Sequence, residues 1–330
     1  MCLYPKIILN RKYTANKKNG GIIPECKDER TKYVPIGCTK CMECRKQKAR
    51  QWQVRLQEEI RVTKHGQFVT LTISTKELLK LNTEITGITG YERENEIITL
   101  AVRRFLERWR KEYGTSVKHW LVTELGHGTT EHIHVHGIIW TDKKEEINRI
   151  WKYGYTWIGS YVNERTVNYI QKYVSKQDLA HKEYRPKILT SAGIGGNYIN
   201  RVDAGLNKYK INGETKETYT TRQGIKINLP IYYRNKIYTE EQRELLWIEK
   251  LDKQERWVNG IKIDISKGDE RYYKVLTEAR EKNERLGYGD DKINWERKKY
   301  ELQRRNLIFE QRRDKKLAEI KEMLIFADLI

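Results

Sequence analysis

The sequence predicts an α+β fold: a central, mainly antiparallel sheet with flanking helices, a cysteine-rich N-terminal element and a helical C-terminal extension. Three observations carry that expectation. Short β-branched or alternating stretches at Phe68–Ser74, Val117–Leu125 and His132–Trp140 read as strands. Amphipathic stretches with helical spacing lie between and beyond them. All five cysteines fall within residues 1–45.

Taken in order, residues 1–45 are loop-rich, with a polar turn at Asn16–Gly21. A helix should run from Met42 to Lys64, with Trp52, Val54, Leu56 and Ile60 among charged residues. The strand Phe68–Ser74 follows. Residues 92–112 predict a helix ending near Gly114, because Ile97, Ala101, Phe105 and Trp109 recur at helical spacing. The strands Val117–Leu125 and His132–Trp140 flank a turn containing Gly126, Gly128, Thr129 and Thr130. Glu145–Trp151 reads as a short helix, Thr156–Tyr161 as a strand and Glu164–Lys176 as a helix. Beyond residue 180 the periodic signals weaken. Gly193–Gly196 and Asn228–Arg234 read as ordered loops or strand edges, and the glycine pattern lacks the lysine of a phosphate-binding loop. From Asn294 the chain is highly charged, with Trp295, Tyr300, Leu302, Leu307, Ile308, Leu317, Ile320 and Leu324 at helical period. Such a helix could pack on the domain, grip a nucleic acid or pair with another chain. The expected organisation is a Cys-rich element and helix over 1–64, a catalytic domain over 65–200 and an accessory region over 201–330.

The 330 residues carry a net charge of +20, which points to a polyanionic partner. The 21 tyrosines and nine tryptophans, set among lysines and arginines, suit stacking against unpaired bases. No apolar run approaches the ~20 residues of a membrane span. Met1–Lys6 has no hydrophobic signal core, so the expected location is the cytoplasm.

Three of the seven histidines, His132, His134 and His136, alternate along one strand, with Ile133, Val135 and Ile139 on its other face. Neutral imidazole is a metal ligand available at physiological pH, so the run reads as a metal site rather than a chance surface pattern. About thirty residues on, Tyr169, Lys172, Tyr173 and Lys176 fall at i, i+3, i+4 and i+7 of a helix. Val167, Ile170 and Val174 form the neighbouring apolar stripe that would dock it. Alone, this is an ordinary half-buried helix with snorkelling lysines. Beside a metal-binding strand in a basic chain it reads differently. Phenol is a poor nucleophile at its unperturbed pKa of ~10, but a metal can polarise a phosphate target and lysines can screen the developing charge. The combination predicts phosphodiester transesterification that leaves the protein covalently joined to a nucleic-acid phosphate.

The chain resembles the HUH endonucleases, and among them the rolling-circle replication initiators of microviruses, particularly the gokushovirus-like group. The resemblance rests on Phe68–Ser74, on His134-Val135-His136-Gly137 and on the run from Tyr169 to Lys176; it extends to Met1–Pro5, to Gly37–Arg45 and to Gln51-Trp52. It covers roughly the first 200 residues. It implies an HUH/RRM-like palm in which His134 and His136 hold Mg²⁺ or Mn²⁺ with an acidic third ligand. Glu124 is the candidate for that ligand if the hairpin pairs it with His134, whereas a register shifted by one residue would put it on the opposite face. His132 is an extra histidine on the same strand face and leaves 132/134 as the other possible pair; Gly137 directly after His136 favours 134/136. With two tyrosines the chain is similar to the paired-tyrosine branch. One phenol would nick single-stranded origin DNA, keep the 5′ phosphate and release a 3′ hydroxyl; the other would later help rejoin the ends. Tyr169 and Tyr173 are therefore both expected to be catalytic, assisted by Lys172 and Lys176. The implied partners are single-stranded and origin DNA and host replication proteins, in the cytoplasm of a bacterial host.

Cys38-x-x-Cys41-x-x-Cys44 has metal-ligand spacing, and a tetrahedral zinc needs a fourth ligand. Cys2 is preferred over Cys26 because the opening residues match the family pattern. The site would be structural Zn²⁺, with an iron–sulfur cluster or unligated thiols as the alternatives. Two other functions fit part of the sequence: a histidine-triad nucleotide hydrolase, and a non-enzymatic zinc-containing nucleic-acid-binding protein. Neither accounts for the charge, the histidines and the Tyr/Lys stripe together. Plasmid initiators and mobilisation relaxases share the proposed chemistry.

Overall fold

A computed structural model describes residues 1–127, 131–159, 161–211, 213–290 and 297–327, with the side chains of the last helix described for 299–321. Gly128, Thr129, Thr130, Asn294, Trp295 and the side chain of Leu324 lie outside the described residues. The strands and α-helices in chain order are β1 (Lys6–Leu9), β2 (Tyr33–Ile36), α1 (Met42–Val62), β3 (Gly66–Leu71), α2 (Thr75–Thr83) and α3 (Gly90–Tyr113). There follow β4 (Lys118–Leu125), β5 (Ile133–Trp140), α4 (Lys144–Trp151), β6 (Thr156–Ile158), α5 (Glu164–Ser175) and β7 (Ile188–Thr190). The remainder holds β8 (Thr218–Thr220), β9 (Lys226–Asn228), α6 (Ile231–Ile237), α7 (Glu240–Asp252), β10 (Glu255–Val258), β11 (Ile261–Asp264), α8 (Glu270–Arg285) and α9 (Arg297–Ala327). The class is mixed α+β. Among the described residues, no helix is long and apolar enough to cross a membrane.

Two compact units share the chain, each discontinuous in sequence. The second unit contains a five-stranded sheet in the order β6-β3-β5-β4-β7. β3 pairs antiparallel with β6, and β4 with β5. Period-two patterning decides its faces. In β3, Gln67, Val69 and Leu71 are buried while Phe68 and Thr70 are partly exposed. In β5, Ile133 and Val135 are buried while His134 and His136 are not. The buried face packs on Ile97, Ala101, Phe105 and Trp109 of α3 and on Ile147, Ile150 and Trp151 of α4. Gly114 ends α3 in the left-handed region, as its position after the last apolar repeat predicts. Leu307 is the buried contact of α9, and Tyr300 and Arg304 of that helix reach the buried carboxylate of Glu96, which also pairs with Lys187.

Gly137 is fixed by the hairpin's closeness. A Cβ there would lie 2.1 Å from the Trp120 carbonyl oxygen and 2.7 Å from the Leu121 Cα, both backbone atoms of β4. Gly137→Ala is expected to destabilise the chain by at least ~1–3 kcal/mol, the usual cost of forced overpacking. A urea midpoint unchanged from wild type would contradict this.

The first unit holds β1, β2, α1, α5 and the elements from β8 to α8. Its core is built largely of tyrosine: Tyr198, Tyr219, Tyr233 and Tyr238 pack with Val54, Leu229 and Leu246. Phenols in a core need partners. Tyr219 donates to the fully buried Glu58 (2.5 Å), which also accepts from Arg201 (2.7 Å), and Tyr233 donates to the Gly195 carbonyl (2.8 Å). Gly195 has φ +69°, and a Cβ there would meet the Arg55 carbonyl oxygen at 2.3 Å.

Several boundaries differ from the sequence expectation. The strand expected over Phe68–Ser74 stops at Leu71, because Ser74 instead caps α2 by accepting from the Glu77 N–H. The helix α2 has only one buried residue, Leu81, too thin a stripe to register as periodic. The expected loop or edge at Asn228–Arg234 becomes the short strand β9 followed by α6. Pro230 sits just before the helix, where a missing N–H costs nothing. The strand expected over Thr156–Tyr161 is limited to Thr156–Ile158.

Candidate functional site

On the second unit, the β4–β5 register pairs Glu124 with His134. Both residues, and His136 two positions on, therefore stand on the sheet face opposite α3 and α4. One Glu124 carboxylate oxygen lies 2.9 Å from His136 Nε2 and 3.4 Å from His134 Nε2, and the two Nε2 atoms are 3.0 Å apart. His134 Nδ1 is 3.1 Å from the His132 carbonyl oxygen, which can only accept. That nitrogen therefore carries the proton, and neutral His134 presents the Nε2 lone pair to the cluster. Thr70 of β3 holds His136 in the same sense, its hydroxyl 2.8 Å from Nδ1. Burial alone would raise the Glu124 carboxyl, but the hydrogen bonds and charges of His134 and His136 hold it at about 2.

Two imidazole lone pairs and a carboxylate converging on one point repel each other unless a cation lies between them. The donor set, two nitrogens and one oxygen within 4.8 Å, fits a divalent transition metal or Mn²⁺ better than a purely oxygen-seeking ion. Three protein ligands with a solvent-facing side leave coordination positions for a substrate. His132 lies on the same strand side but outside this group, with Nδ1 3.3 Å from the Ile73 carbonyl oxygen.

On the first unit, α5 is anchored by its buried Val167, Ile170 and Val174 and capped by Asn163, which accepts from the Thr166 N–H. The opposite side carries the tyrosine pair. Tyr173 donates to the hydroxyl oxygen of Tyr169 (2.9 Å), and the rings meet edge-on at 5.6 Å. Lys172 Nζ sits 3.6 Å from the Tyr169 ring centroid and 5.0 Å from that of Tyr173. Tyr169 is the more exposed of the two. Lys176 does not extend the stripe as a fourth helical position. The helix ends at Ser175, and Lys176 caps it in extended conformation, its carbonyl accepting from Arg45 (3.1 Å).

Also on the first unit, Cys2, Cys38, Cys41 and Cys44 bring their sulfurs together. The Cys2–Cys41 and Cys38–Cys44 separations are 3.9 and 4.0 Å. Zn–S bonds of about 2.3 Å give a tetrahedron with sulfur–sulfur edges of ~3.8 Å, close to these values. Backbone N–H groups of Leu3, Tyr4, Cys38, Lys40 and Cys41 point at the sulfurs, as thiolates require. Cys38 and Cys41 are drawn down by their neighbours, Cys41 to about 7, while Cys2 and Cys44 are pushed up by the same crowding. Only a cation allows all four to ionise together. Cys26 stands apart, its thiol donating to the Asp28 carbonyl. The knot is backed by Val258, Ile263, Leu276 and Ala279, and Asn283 of α8 accepts from the Met42 N–H at the start of α1 (2.8 Å).

Sequence reasoning passed over Thr70 as a partner of His136, and Asn283 as a cap for α1. The first is legible as a hydroxyl on the outward face of β3, the second is not.

The family model described as replication-associated protein ORF2 matches residues 66–178, a span that contains β3, the β4–β5 hairpin and α5. A protein of Spiroplasma virus 4, also named replication-associated protein ORF2, is 27% identical over 242 residues, covering 63% of this chain and 69% of its own length. No solved structure matches the chain.

Proposed function

We propose that this chain is a rolling-circle replication initiator of the HUH type, a site-specific single-strand DNA endonuclease and strand transferase. What carries the reading is that Glu124, His134 and His136 converge within 4.8 Å inside the 66–178 match to a replication-associated family, which also contains Tyr169 and Tyr173. The β3–α3–β4–β5–α4–β6 order, with β3 and β5 central, supports an RRM-like palm within the 65–200 catalytic region.

A divalent cation held by Glu124, His134 and His136 would polarise a phosphate oxygen of the scissile diester. A tyrosine phenol attacks the phosphorus; one P–O bond to tyrosine forms as the bond to the 3′ oxygen breaks. The phenol's proton is balanced by the proton the released 3′ hydroxyl gains, and no water is consumed. Lys172 screens the charge on the attacking oxygen. The second phenol reverses the exchange with a new 3′ hydroxyl and rejoins ends. The proposed substrates are single-stranded and origin DNA in the cytoplasm of a bacterial host, with host replication proteins as further partners. The relative's viral source supports a microviral setting.

The test is incubation with a randomised single-stranded oligonucleotide pool and Mn²⁺, followed by denaturing electrophoresis. The expected product is a protein band carrying DNA through its 5′ phosphate, with the free fragments ending in a 3′ hydroxyl. His134→Ala with His136→Ala is expected to lower adduct yield by ~10³-fold or more, in line with loss of a metal and its charge stabilisation. Cleavage that leaves no attached protein would overturn the reading.

A further inference from the structure

The sheet face that holds the Glu124–His134–His136 cluster continues away from it as aromatic rings. Phe68 of β3 lies nearly parallel to the His136 ring, at 7° and 6.4 Å between centroids. Trp157 of β6 meets Phe68 edge-on at 5.6 Å. β6 ends the strand order, and the register sets Trp157 opposite Thr70, the residue that holds His136. Trp157 is 47% exposed and Tyr155, two residues earlier on the same edge segment, is 71% exposed. The edge is firmly held: Thr72 donates to the Tyr155 carbonyl through both its N–H (2.9 Å) and its hydroxyl (2.8 Å), and Gly159 N–H donates to the Phe68 carbonyl (2.8 Å). Gly159 also leaves space for the indole, since a Cβ there would come within 3.2 Å of it. A large indole left half in water on a rigid edge is not needed by the core, which is built on the other face of the sheet.

We propose that Phe68, Trp157 and Tyr155 form a stacking platform for the unpaired bases of a single-stranded nucleic acid, leading into the Glu124–His134–His136 cluster. The patch consists of flat ring faces rather than branched aliphatic side chains, which is what a nucleobase requires and what lets it accept any base. The chain's +20 charge favours a polyanion over a neutral partner on such a surface. Continuity with the cluster gives the platform a use, because bases stacked there would deliver the adjoining phosphate to the metal-binding groups. This last step rests on the proposed nicking function, whereas the stacking itself does not.

The test is binding of full-length protein to a fluorescent twelve-nucleotide oligothymidylate and to an abasic strand of the same length and charge, with no divalent cation added so that cleavage plays no part. The wild type is expected to prefer the base-bearing strand by tenfold or more, and Trp157→Ala with Phe68→Ala to lose that preference while still binding the abasic strand equally well. Trp157→Phe, which keeps a ring, should retain most of it, and unchanged melting of the variants shows that they fold. Equal wild-type affinity for both strands would overturn the proposal, as would an undiminished preference in the double variant. Loss of self-association in Trp157→Ala, with DNA binding intact, would instead assign the edge to a second copy of the chain. Because the readout is binding alone, the platform can fail while adduct formation stands, and the reverse.

Discussion

Phenylalanine at both Tyr169 and Tyr173 is expected to remove the covalent protein–DNA adduct below detection, roughly 10³-fold or more, as loss of a nucleophile does. The single variants should not be equivalent. Tyr173 donates its hydroxyl proton to the oxygen of Tyr169, and Lys172 Nζ lies closer to the Tyr169 ring. Both contacts favour negative charge on Tyr169, and its greater exposure leaves it the more accessible phenol. Tyr169 is thus set up to cut first, with Tyr173 as its donor. Tyr169→Phe should therefore abolish most first-round adduct, while Tyr173→Phe should slow it roughly tenfold, the worth of one hydrogen bond to a charged group. The sign of the pH effect follows. Losing a donor to the phenolate hurts most where phenolate is scarce, so the Tyr173→Phe deficit should shrink as pH rises toward 10. Single-turnover adduct rates between pH 6 and 10 measure this. Adduct from the double variant would remove tyrosine from the mechanism; equal single variants at every pH would remove the assigned order.

What the sequence made legible follows from the range over which its signals act. Alternation in β3 and β5 is local, so the faces of those strands could be read directly, and with them the shared side of His134 and His136. The place of Glu124 depended on one residue of register, which no local pattern sets, and the observed pairing is the one that puts it beside the histidines. The apolar stripe of α5 likewise showed which side would dock, but the helix end at Ser175, which takes Lys176 off the stripe, depends on where the chain must turn. The region after residue 200 was hardest to read, because its core uses tyrosines whose partners, such as Glu58 for Tyr219, lie 161 positions away. Phenols count weakly as apolar in any periodic pattern, so a tyrosine core looks like loop. The interleaving of two units along one chain is a further long-range property that composition does not carry.

Removal of metal from the cysteine knot should have the largest effect on stability. The four sulfurs meet where Leu3, Met42 and α8 come together, with little apolar surface to replace them: Val258, Ile263, Leu276 and Ala279 on one side and a run of polar loops on the other. Without a cation, thiolates 3.9–4.0 Å apart must reprotonate or separate, and the N–H groups aimed at them lose their acceptors. Structural zinc sites of this kind contribute ~10 kcal/mol or more of apparent binding free energy near pH 7, comparable to the whole stability of a domain. We propose that the ion is zinc, held by Cys2, Cys38, Cys41 and Cys44. Cys38→Ser, Cys41→Ser or Cys44→Ser should then each reduce bound zinc from one equivalent to near zero and lower the melting temperature by ~10 °C or more, while Cys26→Ser changes neither. Cys2→Ser is the informative variant, because the spacing of the other three does not name their partner. The loss should reach the tyrosines indirectly. Asn283 caps α1 beside Met42, and α1 contacts α5 through the hydrogen bond from Gln53 to Asn168 (3.1 Å). Loosening the knot therefore removes a support from the helix that presents Tyr169 and Tyr173. Adduct formation by the cysteine variants should fall at 37 °C and recover on cooling, unlike that of Tyr169→Phe, which stays absent at any temperature. Metal analysis with paired melting curves decides the matter: a chain that binds no zinc, or a Cys44→Ser variant that melts with the wild type, would rule the zinc knot out.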